Sequence, residues 1–275
     1  MAAMGLPGMA ELDKTEYDQN TTVVKVDGQD EVYYEVFGED MQILHLKMAT
    51  GKTITALPGS MVYMQNHVKG SCNCGPSTCC GRWLSCNPCC MATYSNGAKE
   101  EHATVAISPL LPAKIIPLAI NAGQTFRMVE KSFLASTGKV NLAIDFDCNP
   151  CTCCFGGQGC VRQTLSAPEG GEGVQGVGFI GAMGTIMTKT LAEGETIDVD
   201  TDSVVAWDAT AKLGIKLAGG CCAICCGGEG LFNTTLTGPG QVYFQSYSFP
   251  KYKAAMTQFV LSGKAGGVEG DEMER

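Results

Sequence analysis

GETIDVDTDSVVA, residues 194–206, decides the reading of this chain, because GKTITALPGSMVY at 51–63 and GQTFRMVEKSFLA at 123–135 follow the same plan. All three obey G-x-T-[IF]-x5-S-[MFV]-[VL]-[YA] without a gap, at a period of about 71 or 72 residues. That period is longer than the common solenoid units and suits a module of several short strands. A second mark recurs in the same register, as Thr93-Tyr94-Ser95, Thr164-Leu165-Ser166 and Thr235-Leu236-Thr237, the last two preceded by GGQGCVRQ and GGEGLFNT.

Within each copy, runs such as KTITAL, TFRMV and TIDVD alternate apolar and polar residues between glycines, the pattern of half-buried strands. TGPGQVYFQS at 237–246 reads as a tight turn feeding another strand. LLPAKIIPLAI at 110–120 carries two prolines, which exclude a helix interior and suggest a crossing link between the first two modules. KYKAAMTQFVLSG at 251–263 has apolar residues at helical spacing and equally admits a strand through TQFVLS. The expected fold class is all-β with little helix: three tandem modules, about 40–109, 110–180 and 181–250, arranged with pseudo-threefold symmetry as a β-prism or barrel-like sandwich. Residues 1–21 and 263–275 read as a flexible N-terminal segment and a flexible acidic tail around a single domain at 22–262.

The 35 glycines and 45% hydrophobic content of 275 residues describe a globular, turn-rich chain. With a net charge of -9 and no cluster of lysine and arginine, it lacks the phosphate-neutralising stripe that nucleic acid requires. MAAMGLPGMAELDKTEYDQN has neither the basic and apolar regions of a secretory signal nor the arginine-rich make-up of a transit peptide, and no stretch reaches spanning length. The expectation is an intracellular protein, cytoplasmic or at a membrane periphery, in a compartment where stable disulfides are a minority.

The sixteen cysteines fall into one cluster per repeat: seven in Cys72–Cys90, five in Cys148–Cys160 and four in Cys221–Cys226. Each cluster lies between the S-[MFV]-[VL] strand and the T-[YL]-[ST] strand, so all three should leave one side of the body, with Cys80, Cys151 and Cys222 equivalent. Three chemistries suit such a surface. Adjacent cysteines among small and apolar residues are the composition used by reversible S-acylation, for which the candidates are Cys79, Cys80, Cys89, Cys90, Cys151, Cys153, Cys154, Cys221, Cys222, Cys225 and Cys226. C-x-x-C spacings at Cys86/Cys89, Cys148/Cys151 and Cys222/Cys225 offer zinc or redox chemistry as the alternative, against which stand five adjacent pairs whose side chains diverge. The third reading is simple packing of a small hydrophobe.

No catalytic or cofactor-binding residues stand out. Gly51-Lys52-Thr53 ends a Walker-like pattern but lacks its upstream glycine, and the position reads GQT and GET in the other repeats. Glu193 and Glu195, and Asp198, Asp200 and Asp202, read as the solvent face of one strand. His45, His67 and His102 read as packed or solvated residues.

GETIDVDTDSVVA, GGEGLF at 227–232, TGPGQVYFQS and GSMVYM at 59–64 resemble the altered-inheritance-of-mitochondria-24 family over roughly residues 40–250. The resemblance implies a fold like that of the tryptophan RNA-binding attenuation protein, often a trimeric assembly, and in fungal members a link to mitochondrial inner-membrane organisation. It carries no catalytic residues. Where relatives hold glycine and apolar residues before GGEGLF, this chain holds cysteine. The expected function is a non-enzymatic scaffold or organiser that meets a membrane surface or a protein assembly through a cysteine-rich face.

Overall fold

The structure, a computed structural model, describes residues 22–26, 30–73, 90–97, 102–146, 161–217 and 232–265. It is mostly antiparallel β-sheet. β1 (Thr22–Val26) and β2 (Asp30–Phe37) precede the repeats. The first module runs β3 (Ile43–Ala49), β4 (Thr53–Ala56), β5 (Met61–Met64), β6 (Val68–Asn73), β7 (Met91–Asn96) and β8 (His102–Ile107). The second runs β9 (Lys114–Asn121), β10 (Thr125–Met128), β11 (Phe133–Gly138), β12 (Asn141–Phe146), β13 (Val161–Ser166) and the first half of β14 (Val174–Leu191). The third takes the other half of β14, then β15 (Thr196–Val199), β16 (Val204–Asp208), β17 (Lys212–Leu217), β18 (Phe232–Thr237) and β19 (Gly240–Tyr247). One helix, α1 (Phe249–Ala265), follows.

One pairing scheme is used three times. The first strand of each module pairs with the last: β3 with β8, β9 with β14, β14 with β19. The second strand pairs with the fifth, as in β4 with β7, β10 with β13 and β15 with β18. The fourth also lies on the fifth, as in β6 with β7, β12 with β13 and β17 with β18. The third strand pairs with the last and carries an irregularity at one equivalent place, between Met61 and Tyr63, Phe133 and Ala135, and Val204 and Ala206.

The repeated residues are those the backbone demands. Gly51, Gly123 and Gly194 turn the first strand into the second at φ of 75, 72 and 75°, where a side chain costs about 1 kcal/mol or more. The repeated serine closes the next turn: the backbone N–H groups of Ser60, Ser132 and Ser203 donate to the carbonyls of Leu57, Val129 and Asp200.

Modules join where the second strand of one pairs with the third strand of the next, β4 with β11 and β10 with β16. The result is an 11-stranded sheet made of two runs, β6-β7-β4-β11-β14-β9 and β12-β13-β10-β16-β19-β14, that share β14. The remaining strands stay in two separate sheets, β1-β2-β3-β8-β5 and β15-β18-β17. The expected all-β architecture holds, whereas the threefold prism is not completed by strand pairing: among the described residues nothing joins β15 to β5. Three apolar cores result, the first between the five-stranded sheet and one run of the 11-stranded sheet, the second between its two runs, and the third between the other run and β15-β18-β17. One includes Leu46, Ile54, Leu134 and Phe179; one Phe126, Phe133 and Val205; one Val204, Trp207, Leu236 and Val242.

One local reading is corrected and one open alternative is decided. The proline-containing link ends at Ala113, and Pro117 sits inside β9, which among the described residues pairs only with β14, so the missing N–H disturbs no second ladder there. Residues 251–263 are helical. Ser248 caps the helix, its Oγ accepting from the Lys251 N–H, and Pro250 occupies the first turn, where its absent N–H costs little.

Candidate functional site

The register of each module brings its chemistry to one end. Second strands finish at Ala56, Met128 and Val199, and the turns that follow gather because Leu57 N–H donates to the Leu134 carbonyl (2.8 Å) and Val129 N–H to the Val205 carbonyl (2.9 Å). The links between modules lie at this end too, since Lys114 at the start of β9 is opposite Ala182 in β14. Together they enclose a cavity of about 540 Å³ with mostly apolar walls, including Leu57, Leu111, Phe133, Met183, Val204 and Phe249. The turn after β4, that after β10 and that after β15 each contribute to it.

Its rim is polar and held. Gln245 accepts the Met183 N–H through Oε1 (3.1 Å) and donates through Nε2 to the Asp202 carbonyl (3.1 Å). Of Asp200 and Asp202, expected on the face of one strand, the first instead caps, and the second lies in, the short 3-10 turn at Thr201–Ser203, because β15 ends at Val199. Asp200 accepts from the Asp202 N–H and the Ser203 hydroxyl, and Lys251 of α1 bonds it at 2.6 Å. Burial works to raise the Asp200 pKa, but Lys251 and these hydrogen bonds outweigh it and hold the carboxyl below its usual range. Asp202 moves upward, through burial first and then the charge of Asp200.

Lys131 adopts φ 69°, the position at which the first module has Gly59 at φ 81°. Its ammonium stands 4.4 Å from the centre of the Phe249 ring and 3.8 Å from Glu130. Lys131 and Lys251 thus pin the first turn of α1 to the cavity rim. Beyond that turn the helix projects. Tyr252 is half-buried against Tyr247, whereas Met256, Phe259 and Val260, on the same stripe at i, i+4, i+7 and i+8, are exposed, Phe259 at 74%. Residues 249–265 hold three lysines and no acid in a chain of net charge -9.

Apart from Cys72 in β6 and Cys90, the cysteines fall in sequence between fourth and fifth strands. Asn73 pairs with Met91, Phe146 with Val161 and Leu217 with Phe232, so the strand ends that flank the three clusters lie where β4, β10 and β15 finish. Cys79, Cys80, Cys89, Cys151, Cys153, Cys154, Cys221, Cys222, Cys225 and Cys226 lie outside the described residues. Of the others, Cys72 is a free, exposed thiol, and Cys90 is disulfide-bonded, which differs from the expectation for that position. Among the described residues no group of three or more His, Cys, Asp or Glu side chains could hold a metal, and no helix is long and apolar enough to cross a membrane. His45 packs against Phe37 and Tyr63, and burial lowers its pKa.

Sequence reasoning missed Lys131 and Gln245 and placed Asp200 on a strand face. For Lys131 and Asp200 the signal was the five-residue interval between G-x-T-[IF] and serine, where the copies diverge while their framework does not; Gln245 carried none.

Residues 34–247 match the family model described as mitochondrial biogenesis AIM24. An uncharacterised protein of Streptococcus pyogenes serotype M6 is 28% identical over 156 residues, 57% of this chain and 59% of that protein. A crystal structure of a Streptococcus pyogenes protein matches with a TM-score of 0.61 at 22% identity, covering 83% of this chain and 99% of that one, a likeness of fold.

Proposed function

We propose, from the premise that this chain belongs to the mitochondrial biogenesis AIM24 family, that it is a non-catalytic scaffold docking onto a lipid surface by the cavity end. The carrying observation is α1: an apolar stripe of Met256, Phe259 and Val260 left exposed on a lysine-bearing helix whose first turn is fixed to the body. A helix with one apolar face and a cationic complement settles in the headgroup region, and anionic lipid adds about 1 kcal/mol per lysine near the surface. The cysteine clusters, flanked by strand ends on that side, supply a second anchor if their thiols are acylated, since one weak membrane signal binds reversibly and two hold.

Vesicle sedimentation tests the reading. Full-length protein should pellet with vesicles of phosphatidylcholine and phosphatidylserine, and a Phe259→Ser/Val260→Ser variant should lose about tenfold or more in partitioning, as removal of two apolar side chains implies. Membrane-bound protein from cells should in addition be released by hydroxylamine. Equal partitioning of variant and parent would sink the helix as the contact.

A second reading rests on Cys90. A disulfide-bonded cysteine close to a free thiol at Cys72 suits a redox-responsive loop in the first module. Reduction that leaves membrane partitioning and stability unchanged would remove it.

A further inference from the structure

The internal junctions state what the third strand of a module is built to receive. β11 is covered by β4 and β16 by β10, each the strand that follows a G-x-T turn. β5 stands at the same place in the first module, and among the described residues it pairs only with β8 at the edge of its sheet. The exposure follows. Leu134 and Val205 are 1% and 0% exposed, while their equivalent, Val62, is 50% exposed between Met61 at 41% and Met64 at 37%. An exposed edge made of Met-Val-Tyr-Met is the kind of strand that soluble proteins normally protect.

Among the described residues the complementary edge occurs once. β15, Thr-Ile-Asp-Val, is the second strand of the third module and pairs only with β18 among the described residues. Ile197 and Val199 are half-buried, where their equivalents Ile54, Ala56, Phe126 and Met128 are buried. Within one chain the two edges are held by different sheets. β15 belongs to the core of Leu236 and Val242, with the turn after it tied to Lys251 and Gln245, and β5 belongs to the sheet of β2, β3 and β8. We infer that β15 of one copy pairs antiparallel with β5 of a second copy, repeating between chains the junction that β4/β11 and β10/β16 make within one. The contact is head-to-tail, so each copy keeps one open edge until the assembly closes.

Site-specific photo-crosslinking tests this on the full chain. Val62 is replaced by p-benzoylphenylalanine, an exposed change on one edge, and unlabelled and 15N-labelled chains are mixed before irradiation. The expected product has twice the chain mass and joins the tryptic peptide 190–212 of one isotope to residue 62 of the other. A crosslink confined to one isotope means that the edges meet within a chain and overturns the inference, as does a product that excludes residues 196–199 or no product at all. In parallel, sedimentation equilibrium of Val62→Lys should show self-association at least about tenfold weaker than that of the parent, because pairing would bury the ammonium where Leu134 and Val205 are buried. Unchanged association of that variant overturns it equally.

Discussion

The first and second modules answer one motif differently. Ser60-Met61-Val62-Tyr63 and Ser132-Phe133-Leu134-Ala135 occupy the same place, pair with the last strand of their module and bulge at the same residue. Yet Leu134 is in a core and Val62 is in solvent. The difference lies in what precedes them. β11 follows a module whose second strand can cover it, whereas β5 is preceded by β2, which pairs instead with β3 on the opposite edge of the sheet. Burial here is therefore set by position in the tandem array rather than by the motif.

Truncation should break this comparison most sharply. Leu134→Ala is expected to cost about 2–5 kcal/mol and Trp207→Ala about 3–5 kcal/mol, against less than about 0.5 kcal/mol for Val62→Ala, measured by urea unfolding at low concentration. Similar losses at 62 and 134 would mean that β5 is covered in solution. The turn glycines form the matching control, since their role is local and independent of neighbours. Gly51 and Gly194 have open space where a Cβ would sit, so Gly51→Ala and Gly194→Ala should each cost about 1 kcal/mol, from backbone strain alone.

A smaller effect should follow acidification. His45 supports Tyr63 of β5 and has its pKa lowered by burial, so its neutral form is the folded one. The stability it contributes is present above the ordinary histidine pKa and is lost as pH falls from there towards the lower folded value. The urea midpoint should therefore drop from about pH 6.5 downward, and His45→Gln should flatten that slope. Smallest of all is Lys131→Gly. Relief of about 1 kcal/mol of backbone strain opposes loss of about 0.5 kcal/mol from the Phe249 contact, leaving stability nearly unchanged while the start of α1 loosens in hydrogen exchange.

The repeat, its strands and its turns were legible because they rest on local requirements: a glycine at positive φ, a serine that closes a turn, alternation along a strand. The pairing between modules was not, because partner choice among nearly equal edges is a tertiary matter with no period in the sequence. The helix was half legible. Tyr252, Met256, Phe259 and Val260 fit a helical stripe, but TQFVLS alternates well enough for a strand, and Ser248 with Pro250 decides the case through the cap. At the cavity, the divergent turn residues carried no motif, so Lys131 became visible, and Asp200 left its expected strand for a turn cap, only once the three turns were brought together.

β14 closes the second module and opens the third as one unbroken strand of 18 residues, kinked at Gly184, where φ is 73°, and shifted in register between Met183 and Ile186. The first and second modules, by contrast, are joined by an irregular link around Pro109 and Pro112. Under tension applied through the chain, the two joints therefore differ as a hinge differs from a beam. Load crossing Gly184 is shared by the ladders to β9, β11 and β19 in shear, while load crossing the proline link falls first on the ends of β8 and β9. A chain pulled from both ends would yield between its first and second thirds and keep its last two thirds together.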